Sequence, residues 1–221
     1  MNPLQALRSP EHSLLCSPIG LQVVDSFLGT TPLTAYRAAV DVRVGNDWLE
    51  TLLRPTRTPS GVLTLPGLGW RANPTTNPAL QRYRLRIDAN EYIADYRRAL
   101  DGFEFLVPPY DDAHPPVIPP GNMRTLALHP SPNYSYPGAA RVIHGRVVET
   151  SGQPVRDALL EFQGLDRAMT DERGEFAFGL RRAPASGQVT LDVYHDRTGR
   201  TQSFTLQIPA ALQANQVLTL V

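Results

Sequence analysis

Histidine is the side chain best placed to move a proton or hold a metal near neutral pH, and this chain has His12, His114, His129, His144 and His195. None is followed by Glu three positions later and no two form His-x-His, so the spacing of a zinc peptidase site is missing. Cys16 is the one cysteine, which excludes an intrachain disulfide and any cysteine-based zinc cluster. It reads as an ordinary thiol on an N-terminal arm, and His144 as a hydrogen-bonded structural histidine within a strand. Asp101, Glu104, Asp111 and Asp112 offer oxygen ligands for calcium, but they read as a solvated acidic loop beside prolines. The run Pro66-Gly67-Leu68-Gly69-Trp70 lacks the Lys and the following helix of a phosphate loop, and no Gly-x-Ser-x-Gly elbow occurs. The expectation is a chain that is not an enzyme and has no catalytic residues, cofactor or metal.

What remains for recognition is aromatic. Trp48, Trp70, Tyr110, Tyr134 and Tyr136 are the candidate interface residues, suited to a protein neighbour or to a glycan. Core packing accounts for most such rings, so one or two are expected at the surface.

The background limits the partners further. With 221 residues and 42% hydrophobic content the chain can build one large core or two small ones. Its 21 basic residues are all arginines, balanced by 21 acidic ones, and a net charge of zero argues against a nucleic-acid binder. No apolar run approaches the ~20 residues of a membrane span. Residues 1–18 lack a charged stretch followed by an apolar one, so no signal peptide is expected. The expected location is the cytoplasm or an assembled particle.

The elements that must carry these residues are strands. Short alternating runs lie between Gly, Pro, Asn and Asp punctuation. Residues 36–44 (YRAAVDVRV) alternate, with Ala38, Val40, Val42 and Val44 on one face. Residues 83–87 (YRLRI) place Tyr83, Leu85 and Ile87 inward and Arg84 and Arg86 toward water. Further strands are expected over 61–65, 142–148, 159–162, 175–178, 189–194, 203–208 and 217–221. The one helical candidate is 90–100 (NEYIADYRRAL), where Ile93, Tyr96 and Leu100 share a face at helical spacing.

Two halves follow the same order of signals. Val24-Asp25, then Gly29 and Pro32, an alternating strand, Ser60-Gly61-Val62-Leu63 and YRLRI match Val148-Glu149, then Gly152 and Pro154, a strand, Arg173-Gly174-Glu175-Phe176 and VTLDVY. This order indicates duplication with drift. Between the halves, residues 108–137 contain nine prolines, which predicts an extended spacer with no central strand, its end anchored by Tyr134 and Tyr136.

In the second half, Gly145-Arg146-Val147, Gly152, Pro154-Val155, Ala158, Thr170-Asp171, Gly174 and Phe176 stand in a pattern that resembles the carboxypeptidase regulatory-like domain. That resemblance implies a transthyretin-like or Ig-like sandwich of seven strands and identifies a fold rather than an activity. The stretch PNYSYPGAARVIHGRV is similar to a two-domain arrangement found in phage-tail-like contractile injection gene clusters. Related sandwich enzymes use two Tyr and two His on iron, which the histidine spacing does not support, or a Tyr-Arg-Gly-Ser tail, where this chain has Leu218-Thr219-Leu220-Val221. The expected architecture is all-β: an arm over 1–18, a first β-sandwich over 19–107, a Pro-rich spacer over 108–137 and a second β-sandwich over 138–221. The expected function is that of a structural or adaptor protein binding other subunits of a larger assembly, plausibly a phage-tail-like or contractile injection particle; the alternative is a module that binds a glycan or cell surface.

Overall fold

Period-two patterning and turn residues dictate strands almost everywhere, and the computed structural model shows them. It describes residues 16–71, 79–96, 101–111, 113–114, 116 and 122–221. The first half contains β1 (Gly20–Asp25), β2 (Arg37–Val44), β3 (Asp47–Glu50), β4 (Thr56–Arg57), β5 (Val62–Thr64), β6 (Gln81–Asp88), β7 (Tyr92–Ala94), β8 (Phe103–Val107) and β9 (Met123–Pro130). The second contains β10 (Arg141–Glu149), β11 (Leu159–Phe162), β12 (Asp166–Met169), β13 (Glu175–Leu180), β14 (Gly187–His195), β15 (Arg200–Ile208) and β16 (Gln216–Leu220), with a 3-10 turn over Ala210–Leu212.

The described chain is all-β, and its strands form four sheets ordered β4-β5-β1-β9-β7, β3-β2-β6-β8, β13-β10-β16 and β12-β11-β14-β15. One pairing scheme occurs twice. In the first half β1 runs antiparallel to β5 and parallel to β9; in the second β10 runs antiparallel to β13 and parallel to β16. The partner sheets match as well: β2 pairs with β3 and β6, and β6 with β8, as β11 pairs with β12 and β14, and β14 with β15. The order of signals read in the sequence therefore has a counterpart in strand pairing. The first half adds β4 and β7 at the edges of one sheet.

Each half has its own core between its two sheets. Leu21, Val23, Val40, Leu63, Tyr83, Leu85 and Leu128 belong to one cluster, and Ile143, Val147, Leu160, Phe176, Phe178, Leu191 and Leu218 to the other. Each fully buried side chain of this size contributes about 1.5–3 kcal/mol, so the core faces far outweigh any single surface contact.

Three expectations are corrected. Residues 92–94 form β7, antiparallel to β9, and not part of a helix; ladder bonds to a neighbouring strand satisfy this backbone, overriding the helical spacing. Residues 97–100 lie outside the described set. The segment 108–137 is not simply a spacer, because Met123–Pro130 is an interior strand between β1 and β9's other neighbour β7. Its only proline is Pro130, the last residue, so the ladder donors of the strand are intact. The first half therefore runs past residue 107. Finally, β12 follows β11 directly through a turn in which Gln163 and Gly164 both have positive φ, at 52° and 72°. That hairpin was not anticipated.

The turn before β13 shows how the local pattern works. Asp171 Oδ1 accepts the backbone N–H of Arg173 and of Glu175, each at 2.9 Å. Gly174 sits at φ +72°, where an added Cβ would lie 2.5 Å from the Val147 carbonyl oxygen. Gly174→Ala is therefore expected to destabilise the protein by about 2 kcal/mol or more. Urea unfolding followed by circular dichroism tests this; an unchanged midpoint would show that the turn relaxes freely.

Candidate functional site

Alternation puts Asp25 on the core face of β1, and the surrounding polar groups converge on it. The carboxylate is fully buried. Its Oδ1 accepts the N–H groups of Phe27 (2.7 Å) and Leu28 (3.0 Å), and its Oδ2 accepts the hydroxyls of Tyr92 (3.0 Å) and Tyr134 (2.8 Å). Burial, then the adjacent Asp25 carboxylate, pushes the Tyr92 phenol up to about 12. Burial and the hydrogen bond to Asp25 raise Tyr134 as well. Such a set holds β1, β7 and the chain after β9 together, and its phenols are locked as donors rather than available as acids.

The second cluster lies on the opposite face of the same sheet. His129 Nδ1 is 2.8 Å from Ser26 Oγ, and His129 Nε2 is 3.4 Å from Asp95 Oδ2. These three residues stand at neighbouring positions on or just beyond β1, β9 and β7, and sequence reading missed them because they are far apart in the chain. A Ser-His-Asp set has the residue types of a nucleophile, its base and an orienting carboxylate. Here the imidazole has no exposure, and β12 packs against β9. The nearest cleft, of about 270 Å³, is lined by Asp95 but by neither Ser26 nor His129. A molecule in it would meet the carboxylate end of the relay, away from the hydroxyl.

That cleft lies where the halves meet, and most of its charges are already engaged. Arg197 bridges the halves to Asp101 at 2.6 Å and also reaches Asp157 at 3.1 Å. The hydrogen bond from Arg197 outweighs burial and holds the Asp101 carboxyl below its ordinary value. Asp95 and Asp196 also have partners. Among the described residues no group of three His, Cys, Asp or Glu could hold a metal ion. Asp112, part of the expected acidic loop, lies outside the described set, and Glu104 pairs with Arg82 at 3.6 Å.

The five expected interface residues separate sharply. Tyr110 is buried, its hydroxyl bonded to the backbone of Cys16, and Tyr134 is buried on Asp25. Tyr136 spans the two halves: its hydroxyl donates to the Ala177 carbonyl at 2.7 Å and accepts the Gly179 N–H at 3.2 Å. It thereby covers part of the outer edge of β13, and a Cβ on Gly179 would lie 2.4 Å from its ring. Phe27 stacks edge-on against Tyr136 at 4.9 Å and lies under the Arg181 guanidinium, also at 4.9 Å. These three tyrosines therefore stabilise the interior and the junction, leaving Trp48 and Trp70 at the surface.

Trp70 is 41% exposed. Trp48 is half-buried, with the guanidiniums of Arg84 and Arg43 over its ring at 4.7 and 5.3 Å. Arg84 and Arg86 do leave the core face, as expected, but they do not simply meet water: both grip Asp41, at 2.6 and 2.8 Å. Burial would raise the Asp41 carboxyl, yet the hydrogen bonds from Arg86 and Arg84 outweigh it and lower it. Cys16 is half-buried and docked through its backbone, residues 1–15 of the expected arm lying outside the described set. His144 is exposed on the outer face of β10, contrary to expectation, because its alternation partners Ile143 and Val147 take the core side. No protein-family model matches the chain, and no curated protein matches it significantly. No helix among the described residues is long and apolar enough to cross a membrane.

Two predictions follow from these polar groups. Asp25→Ala strands two phenols and two backbone N–H groups, which is expected to cost about 3–5 kcal/mol; chemical denaturation checks it, and a loss below about 1 kcal/mol would contradict the role. His195 is buried, with Nδ1 at 2.9 Å from Thr198 Oγ1 and no partner for Nε2 among the described residues. Burial lowers its imidazole below the ordinary 6.5. The unfolded chain then takes up this proton near pH 6.5 while the folded chain does not, so stability falls as pH drops below that value. Thermal midpoints between pH 7.5 and 5 should fall more steeply for the wild type than for His195→Gln, and parallel curves would refute the assignment.

Proposed function

We propose that this chain is a non-catalytic structural or adaptor component of a larger protein assembly, built as two tandem transthyretin-like or Ig-like sandwiches that meet at a tightly bonded junction. The repeated pairing scheme and the two separate cores support that architecture. The single observation that carries the functional reading is strand β15. It is nine residues long and lies at the edge of its sheet, paired among the described residues with β14 alone. After Arg200 it contains no charge and no proline. Natural sheets guard such edges with charges, prolines, bulges or short strands, because an open row of N–H and C=O groups recruits another strand. An edge left open over this length suits strand addition by a neighbouring subunit.

The setting proposed is a phage-tail-like or contractile injection particle, in line with the resemblance of residues around the junction. A glycan-binding role has less support, since Tyr110 and Tyr134 are buried, Tyr136 is bonded across the junction and cations lie over Trp48.

The test is affinity purification of the tagged chain from its native host, with gel filtration and mass spectrometry, alongside a Thr205→Lys/Gln207→Lys variant. Elution in a large complex that the variant loses, at an unchanged melting temperature, is the expected result. Elution as a lone species of 24.4 kDa, or a complex indifferent to the variant, would overturn the reading.

A further inference from the structure

Arg82, Arg84, Arg86, Arg181 and Arg197 are each paired with a carboxylate. Three others in one place are not neutralised. Arg37 at the start of β2, Arg54 before β4 and Arg57 at the end of β4 line a pocket of about 350 Å³ together with Tyr36, Ala35 and Leu63. No acidic residue among those described lines it. Among the described residues none of the three guanidiniums has an ion pair or a hydrogen bond, although the chain holds as many acidic residues as basic ones.

Two features organise the pocket. Arg57 lies over the Tyr36 ring at 4.7 Å, which restrains an otherwise mobile side chain and lowers the entropic cost of using it. The Tyr36 hydroxyl is buried and has no hydrogen-bond partner among the described residues. A ligand oxygen that accepted from it would supply the hydrogen bond the fold leaves unmade. Leu63, buried in the core of the first half, closes the floor. Arg37 also borders an adjoining cleft with Glu50, Arg86 and Asp88, which faces it across β2 and β6, but among the described residues it forms no ion pair with either carboxylate.

We propose that this pocket binds a small ligand carrying a phosphate or sulfate group. Guanidinium forks match the oxygens of such groups in pairs, and three of them free of carboxylates favour a multiply charged anion over a neutral molecule. The pocket is larger than a bare anion and falls in the usual range for small-molecule sites, so the anion is carried on a further moiety such as a sugar. This inference is independent of the assembly reading.

Isothermal titration at fixed ionic strength tests it, with inorganic phosphate, inorganic sulfate, glucose 6-phosphate and glucose as probes. Saturable one-to-one binding of the anions and none of glucose is expected, weakened at least tenfold in Arg54→Ala/Arg57→Ala and unaltered in Arg82→Ala. Tighter binding of glucose 6-phosphate than of phosphate supports a sugar-borne anion, and equal binding supports the free anion. In the unsubstituted chain, the bound anion should protect Arg54 and Arg57, but not Arg82, from phenylglyoxal. The proposal is overturned by absence of saturable binding, by equal losses in both variants, or by protection that does not distinguish these arginines.

Discussion

A carboxylate buried without exposure in an otherwise apolar core must have every lone pair answered, and Asp25 sets that constraint for the whole first half. Answering it requires the turn after β1 to present the N–H groups of Phe27 and Leu28, β7 to deliver Tyr92, and the chain after β9 to return with Tyr134. Those demands fix where the proline-rich segment must pass. Tyr134 in turn packs edge-on to Phe27 and Tyr136, at 5.8 and 4.6 Å, and Tyr136 reaches β13 in the second half. One buried acid thus links the core of one half to the contact with the other.

The two halves share a pairing scheme yet use polar groups differently. In the second half the buried Asp166 is satisfied by the N–H groups of Arg181 and Arg182 and by the Arg181 guanidinium. Thr170 joins two further backbone groups, donating to the Val155 carbonyl and accepting the Ala158 N–H. These bonds are mostly short-range along the chain, whereas the Asp25 set reaches as far as Tyr134. The first half needs long-range polar contacts because its parallel strand, β9, arrives from a distant segment and is paired on both edges.

Arginine chemistry divides the surface. On the outer face of the β3-β2-β6-β8 sheet, Asp41 holds Arg84 and Arg86, Arg86 also holds Glu50 at 3.0 Å, and Trp48 lies beneath two guanidiniums. That face is internally neutralised. The mouth formed by Arg37, Arg54 and Arg57 is not, and the outer edge of β15 is unpaired. Where the molecule leaves charge or backbone unanswered is where a partner has something to add.

Much of the fold was legible because strand formation depends on local pattern. Alternation in residues 36–44 and 83–87, and the Asp171–Gly174 turn, report facts about neighbours two to four residues away, and these became β2, β6 and the entry to β13. The repeat was legible for the same reason, since turn signals recur in order. What only tertiary structure decided was pairing between distant segments. Residues 123–130 lie within the proline-rich stretch that predicts an extended spacer, but a parallel strand leaves no turn signal to announce its partner. Ile93 shares a helical spacing with Tyr96, yet β9 supplies it a ladder. Tyr110, Tyr134 and Tyr136 looked the same in sequence as exposed rings, because burial depends on which backbone groups and carboxylates arrive opposite them. The Ser26, His129 and Asp95 set, and the meeting of Arg37, Arg54 and Arg57 at one pocket, are likewise absent from any local pattern: composition shows that charges balance over the chain, and only the folded positions show which ones meet.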